Sequence, residues 1–304
     1  MKKGLSLFLT VILLAGVLPA ATASAGKVNV EAPSSWADPE NDRAVVVVLP
    51  AESEGADGTG KLVMQIIWSE SAWDEWVYTL VLAPETASED KTVYSYINGT
   101  ASVFSYDDEG KKVSETASNE SFFGTVTAEA DEKGETVLRL ESGNEALPNL
   151  TLRREAVPVP SPEELAANVI EPILELEEGT AGSDMKTAAL VSRLITYAVG
   201  HRLYAVDLPT LAKNLKAALK DLELSEEEAG QFLDKKNRVA DLMMTILGLG
   251  SDPDGEKTAQ ATALFEDAGV MEEIDDVLDS ALSAPISVEL MLTCLLTIEN
   301  EIAE

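Results

Sequence analysis

The side chains that most often perform covalent chemistry are scarce in this sequence. Its 304 residues include one His, His201, and one Cys, Cys294. A nucleophilic Ser or Cys needs a base beside it, and no Gly-x-Ser-x-Gly elbow accompanies His201. Cys294 lies in an apolar run that is typical of a helix core, and one Cys cannot form an internal disulfide. We therefore predict no catalytic residue and no enzymatic activity.

Metal and cofactor sites are also weakly supported. Zinc needs several His or Cys ligands, and the acidic runs 38–42 and 272–279 are typical of solvated faces. The run 252–255 has the wrong register for an EF-hand, because position 12 of the loop would be Ala261. Paired carboxylates could hydrolyse glycosides, but with so many acids spacing selects no pair. No Gly-rich phosphate loop is present, so we predict no metal and no cofactor.

The charge balance restricts the possible partners. The chain has 54 Asp and Glu against 22 Lys and Arg, a formal net charge of -32. Binding to a phosphate backbone requires clustered Lys and Arg, so nucleic acid is excluded, and an anionic membrane surface is disfavoured. A basic protein or a partner in the cell envelope is favoured instead.

The first 25 residues predict a signal peptide. Lys2 and Lys3 precede an apolar stretch over 5–18, which is short for a membrane span, and two Ala-x-Ala patterns follow. We expect cleavage after Ala25 and a secreted or extracytoplasmic protein of bacterial type. The stretch 13–17 resembles a lipoprotein box with Val17 at the lipidated position, so no acyl anchor is expected. No later apolar run is long enough for a membrane span in the mature chain.

Composition divides the mature chain into an all-β part, residues 26–155, a Pro-rich linker, 156–162, and an α-helical bundle, 163–304. The first part is rich in Val, Thr, Tyr and turn residues, and its short alternating segments predict a meander. The Asn98-Gly99 pair predicts a two-residue hairpin turn. A meander of this size closes into a small barrel or folds as a sandwich, and we favour the barrel. The predicted strands are 44–49, 62–68, 75–82, 92–97, 101–106, 112–117, 122–128, 136–141 and 150–154.

Alternation along the predicted strands places large rings on one face. The rings come from three successive strands, and inside a small barrel they either fill the core or line a pocket. Core filling is the commoner arrangement. The proposed lining residues of a pocket are Trp76, Tyr78, Tyr94, Tyr96, Phe104 and Tyr106.

Several fragments of the β part occur in a recognisable order. They are Trp73-x-x-Trp76, the segments 96–100 and 106–111, Phe123-Gly124 and the segment 150–154. Together they resemble the lipocalin-like small β-barrel domains of exported bacterial proteins, over roughly residues 60–155. The resemblance implies a small closed barrel.

The second part has helical periodicity. Apolar stripes predict helices over 162–178, 185–206 and 208–222, and a capping box at Ser225 begins a helix that ends near Leu247. Shorter helices are expected over 257–268, 270–282 and 285–302. We predict an orthogonal or up-down bundle of six or seven helices.

Two functions follow from this sequence. The first is an exported binding protein without catalysis, in which the barrel holds a small apolar or aromatic ligand. The alternative is an acidic scaffold for protein–protein or cell-envelope interactions, with a filled barrel and no small ligand. The packing of the rings inside the barrel distinguishes the two.

Overall fold

The structure is a computed structural model, and it describes residues 28–298 except 29, 52–60, 72, 109–111, 178–181, 250, 251, 253, 254 and 280. The predicted signal peptide lies outside the described residues. The described chain divides into two compact units, and the boundary in the sequence lies between Ala156 and Val157. The first is all-β and the second is all-α, as the composition predicted.

The β unit contains nine strands within the described residues. They are β1 (Ser34–Asp38), β2 (Asn41–Pro50), β3 (Leu62–Ser69), β4 (Asp74–Ala87), β5 (Lys91–Tyr106), β6 (Lys112–Ala117), β7 (Phe122–Ala130), β8 (Thr136–Ser142) and β9 (Leu150–Arg154). Eight of them form a closed antiparallel barrel in the order β1-β2-β3-β4-β5-β7-β8-β9, and β9 pairs back with β1. The preference for a barrel over a sandwich is therefore confirmed.

Strand alternation fills the barrel. On β3, Leu62, Met64 and Ile66 are buried inside the barrel, and on β4 the inward positions are Leu80 and Leu82. Because side chains alternate between the faces of a strand, each strand contributes every second residue to this one core. Trp36 of β1 is also buried there, and its indole Nε1 donates a hydrogen bond of 2.7 Å to Ser34 Oγ.

Chain segments close both ends of the barrel. At one end Val28 and Val30 pack against the core, and Thr92 Oγ1 donates to the carbonyl of Val28 at 2.7 Å. At the other end the β8–β9 loop buries Leu147, and the Tyr78 hydroxyl donates to the carbonyl of Ala146 at 2.7 Å. These contacts hold the N-terminal segment and the loop against the barrel interior.

The predicted hairpin turn at Asn98-Gly99 is wrong. The structure has one continuous strand, β5, in which Asn98 has a φ of 60° inside a bulge. Ile97 and Asn98 together lie opposite Phe123 of β7, between the pairs Tyr96–Gly124 and Gly99–Phe122. Asn98 therefore uses the left-handed conformation, which Asn tolerates, to bend a strand instead of closing a turn. The two predicted strands, 92–97 and 101–106, form the single strand β5.

The strands β1 and β6 complete the description of the β unit. The sequence prediction missed β1, which the short Ser-Ser-Trp-Ala-Asp segment forms between β2 and β9. The C-terminal half of β5 pairs with β4 on one side and with β6 on the other. Most of β6 is exposed, and among the described strands it pairs with β5 alone.

The α unit begins with a helical segment of three pieces, α1 (Pro162–Leu165), a π-helical turn (Ala166–Ile170) and α2 (Glu171–Leu174). It continues with α3 (Ser183–Gly200), α4 (Leu208–Asp221), α5 (Glu226–Ile246), α6 (Glu256–Asp267), α7 (Met271–Asp279) and α8 (Ala284–Thr297), and a short 3-10 turn (Leu203–Ala205) follows α3. The described residues therefore form seven helices when α1 and α2 are taken as one segment, within the range predicted.

Local signals set the helix starts, and apolar stripes set the packing. Ser161 and Ser225 form capping boxes with Glu164 and Glu228. The buried residues of the helices form one core, in which Phe232 and Phe265 have no accessible surface. The Pro-rich connector also belongs to this packing, because Val157 and Val159 contact the helical core.

The described helices were also compared with the length and composition that a membrane span requires. No single one meets both criteria. The pair α7 and α8 meets them only together, with a bend of 114° between the two helices.

Candidate functional site

Three of the six predicted pocket residues lie inside the barrel and contact other core side chains. Tyr78, Tyr94 and Tyr96 are at most 5% exposed. The Tyr78 ring meets the Phe122 ring edge-on, with centroids 5.2 Å apart, and the Tyr96 hydroxyl donates to the carbonyl of Glu141 at 3.4 Å. Burial raises the pKa of Tyr94 and of Tyr96, so both are neutral phenols in the physiological range.

The exposure of the interior side chains measures the free space around these rings. Wall residues of a cavity that admits water keep accessible surface even when the cavity is closed. The interior side chains of Val46, Met64, Ile66, Leu80 and Leu138 have 0% exposure. These residues, drawn from four strands, therefore border no space of that size. They pack as a core.

Trp76 occupies the end of the barrel. It is half-buried, packs against the core and stacks on Tyr78 with centroids 5.9 Å apart. Its register partner on β3 is Trp68, which is also half-buried. Among the six predicted pocket residues, Trp76 therefore contacts both the barrel core and solvent.

Phe104 and Tyr106 do not join the other rings. The bulge in β5 shifts the inward positions from even to odd residue numbers, so that Gly99 and Ala101 follow Tyr96 on the inner side. Phe104 pairs with Glu75 of β4 on the outer face, and Lys112 Nζ lies 5.6 Å from its ring centroid. Tyr106 donates to Glu75 Oε1 at 3.3 Å. The prediction that all six rings share one face is therefore wrong for these two.

The outer wall of the barrel carries an apolar patch, which we define as Val81, Ile97 and Phe123. These side chains are 49%, 74% and 52% exposed. Residues 80–82 of β4 lie alongside the β5 bulge, and Phe123 of β7 lies opposite it, so the three come from neighbouring strands. Large exposed apolar side chains that adjoin one another are typical of interaction surfaces.

The surroundings of the apolar patch are polar and acidic. The Phe123 ring extends over the backbone of Gly143, where an added Cβ would lie 2.2 Å from the ring. Thr125 and Glu141 form the next outward pair beyond Phe123, and Glu141 is exposed. Apolar side chains beside carboxylates in a chain of net charge -32 fit a partner surface that is apolar and basic.

This patch was not predicted from the sequence, for an identifiable reason. A turn at Asn98-Gly99 places Ile97 at a strand end. Two signals were present, namely the adjacent rings Phe122-Phe123, which must point to opposite faces of a strand, and Ile97 next to an Asn. The register of β4, β5 and β7 was needed to bring them together.

The residues that the sequence offered for catalysis or metal binding take part in packing and backbone hydrogen bonds. His201 ends α3, with its ring centroid 4.2 Å from that of Tyr197. Burial raises the pKa of the Cys294 thiol to about 11, which leaves little nucleophilic thiolate at neutral pH. Asp38 accepts hydrogen bonds from the backbone N–H groups of Glu40 and Thr151. Across the described ranges, no group of three or more His, Cys, Asp or Glu could hold a metal ion.

An open groove of about 490 Å³ lies in the α unit, between α3, α5 and α6. Its lining includes Asp184, Arg238, Asp241 and Lys257, and the first two form an ion pair of 3.3 Å. Asp184 and Arg238 therefore bind each other, and the described lining of the groove contains no His and no Cys.

Comparisons with known proteins identify no relative. No protein family, curated protein or solved structure matches this chain.

Proposed function

We propose that this chain is an exported, non-catalytic interaction protein whose barrel is a solid support for a docking surface. The observation that carries the proposal is the contrast between the two sides of the barrel wall. The interior side chains of Leu80 and Met64 are 0% exposed, whereas Ile97 is 74% exposed on the outside. A filled core supplies stability, and the exposed apolar side chains supply the contact area for a partner.

The partner that fits best is a protein with an apolar and basic surface. The apolar patch can be desolvated by apolar side chains, and the net charge of -32 attracts basic groups over a longer range.

Export is part of the proposal and rests on the N-terminal sequence pattern. Kinship with lipocalin-like barrels is also proposed, and the closed eight-stranded antiparallel order supports it.

The competing function is a small apolar ligand inside the barrel, and a fluorescence titration separates the two. All four Trp lie in the β unit, so intrinsic fluorescence reports on the barrel. Residues 26–304 would be titrated with fatty acids, retinoids and aromatic metabolites. We expect a flat response from the folded protein. A saturable, stoichiometric change would overturn the filled-barrel proposal.

The docking surface is tested by site-specific photo-crosslinking in the source organism. A photoreactive residue replaces Ile97, and a control chain carries it at the exposed Thr151 of β9, in place of Thr. We expect one discrete adduct at position 97, its loss when Phe123→Ser is added, and none at 151. Equal adducts at both positions, or an adduct insensitive to Phe123→Ser, would contradict docking at the apolar patch.

A further inference from the structure

Two Trp side chains and two carboxylates converge at one end of the barrel, outside the apolar patch. We call this group, Trp68, Trp76, Glu70 and Glu120, the tryptophan end. Trp68 and Trp76 are directly opposite each other on β3 and β4, and both are half-buried. Directly opposite residues on antiparallel strands have Cβ atoms about 5 Å apart, so the two indoles are neighbours.

Hydrogen bonds fix the two carboxylates beside the indoles. Trp68 Nε1 donates to Glu70 Oε2 at 2.9 Å. Asn144 Nδ2, in the loop that closes this end, donates to Glu120 Oε2 at 2.9 Å. Each carboxylate keeps further acceptor positions, so neither hydrogen bond uses up its capacity to bind a cation.

Tyr78 connects the indoles with the loop that holds Glu120. Its ring stacks on Trp76, and its hydroxyl donates to Ala146 at this same end. The pKa of Tyr78 is raised to about 12, mainly by burial and to a smaller extent by the negative charges of Glu70 and Glu120. Glu70 directly follows β3 and Glu120 precedes β7, so the two carboxylates reach this end of the barrel from different connecting segments.

The chemistry of this group selects the ligand. Aromatic faces attract cations through the ring quadrupole, most strongly when the ring is Trp, and two carboxylates add direct charge attraction. A neutral or anionic ligand would gain neither. Within the part of the chain that the structure describes, Lys112 over Phe104 shows the same kind of contact on the outer face of the barrel.

We propose that the tryptophan end binds a guanidinium or ammonium group, presented by a basic side chain of a protein partner. The protein source of the cation rests on the proposed function, whereas the recognition of the cation does not. The indoles cover the planar or alkyl faces of the group, and Glu70 and Glu120 accept its N–H hydrogen bonds.

The test follows the four indole N–H resonances of the full mature chain by NMR. The probe is N-acetyl-arginine amide, and its neutral isostere N-acetyl-citrulline amide is the control ligand. We expect saturable shifts of the Trp68 and Trp76 resonances with the arginine probe and none with the citrulline probe. Trp36, buried and bonded to Ser34, serves as the internal reference. Equal responses to the two probes, or none to either, would refute the proposal.

Matched variants separate a defined site from general attraction to an acidic protein. Glu70→Gln and Glu120→Gln should each weaken binding by about two- to fivefold, as expected for one partly exposed ion pair. Glu132→Gln, in the exposed turn after β7, should leave the affinity unchanged. An equal loss in all three variants, each shown to be folded by circular dichroism, would leave only unspecific attraction and reject the site.

The outcome here and the outcome of the crosslinking experiment are independent. Arginine binding without an adduct at position 97 would support the cation site and reject docking at the apolar patch. An adduct at position 97 without arginine binding would support docking at the apolar patch and reject the cation site.

Discussion

The hydroxyl groups of Tyr78 and Tyr197 differ in their hydrogen bonding. The Tyr78 hydroxyl donates to the carbonyl of Ala146 at 2.7 Å. The Tyr197 hydroxyl is buried without a hydrogen-bond partner within the described part of the chain. Desolvation, followed by the charge of Glu164, raises the pKa of Tyr197 to about 12. A buried hydroxyl without a partner costs free energy, whereas a bonded one contributes.

We therefore expect opposite effects when each hydroxyl is removed. Tyr78→Phe should lower the free energy of unfolding by about 1 kcal/mol, because a buried carbonyl loses its donor. Tyr197→Phe should leave it unchanged or raise it by up to about 1 kcal/mol, because only an unsatisfied group is lost. Urea unfolding would be followed by Trp fluorescence for the first variant and by far-UV circular dichroism for the second. A loss of stability in Tyr197→Phe as large as that in Tyr78→Phe would show that Tyr197 has a partner.

At the scale of the element, the bulge in β5 decides which side chains reach solvent. It changes the inward positions of the strand, turns Phe104 and Tyr106 to the outer face and exposes Ile97. Asn98 supplies the left-handed φ of 60°, and Gly99 supplies the close approach. Without this single extra residue, β5 would continue the alternation that the sequence suggested.

Gly99 should tolerate no larger side chain. An added Cβ would lie 2.7 Å from Leu80 Cδ2 and 3.1 Å from Phe122 Cβ, and both residues have 0% exposure. Gly99→Ala should lower the stability of the β unit by about 1–3 kcal/mol, because overpacking displaces buried neighbours. Urea unfolding monitored by Trp fluorescence measures this.

Gly230 in α5 provides the matched control for that substitution. An added Cβ there meets nothing within 4 Å, and the residue is exposed in the first turns of a helix. Gly230→Ala should raise the stability of the α unit by about 0.5–1 kcal/mol, as seen by circular dichroism. If Gly99→Ala were equally stabilising, the close packing at the bulge would be refuted.

At the scale of the whole molecule, the dominant property is the net charge of -32. Ion pairs such as Lys186–Glu177 involve exposed side chains, and exposed pairs contribute little to stability. Two apolar cores, one in each unit, must therefore stabilise the protein against repulsion among its carboxylates.

Salt should consequently stabilise this protein. Raising sodium chloride from about 0.01 M to 0.1 M shortens the Debye length from about 30 Å to about 10 Å, which screens the repulsion. We expect the thermal unfolding midpoint to rise across this range, as measured by circular dichroism. A non-ionic osmolyte at matched osmolality serves as the control. A midpoint that falls or stays constant would show that repulsion among the carboxylates does not limit stability.

Much of the architecture was predictable because it depends on local chemistry. Period-two alternation predicted most strands, and the capping box at Ser225 predicted a helix start that the structure confirms. The change in composition near residue 156 predicted an all-β part followed by an all-α part. Such signals are carried by neighbouring residues, so they need no tertiary information.

The candidate surfaces depended on the tertiary structure. Val81, Ile97 and Phe123 are far apart in the chain and come onto neighbouring strands only through the register of β4, β5 and β7. Glu70 lies in the connection between the paired strands β3 and β4, whereas Glu120 comes to the same end through its contact with Asn144 of the distant β8–β9 loop. The Asn98-Gly99 pair is compatible with a hairpin turn and with a bulge, and the packing of Gly99 against Leu80 and Phe122 favours the bulge. The sequence by itself therefore determined the elements and the charge, whereas long-range strand pairing decided which side chains face solvent together, because register is a property of two strands.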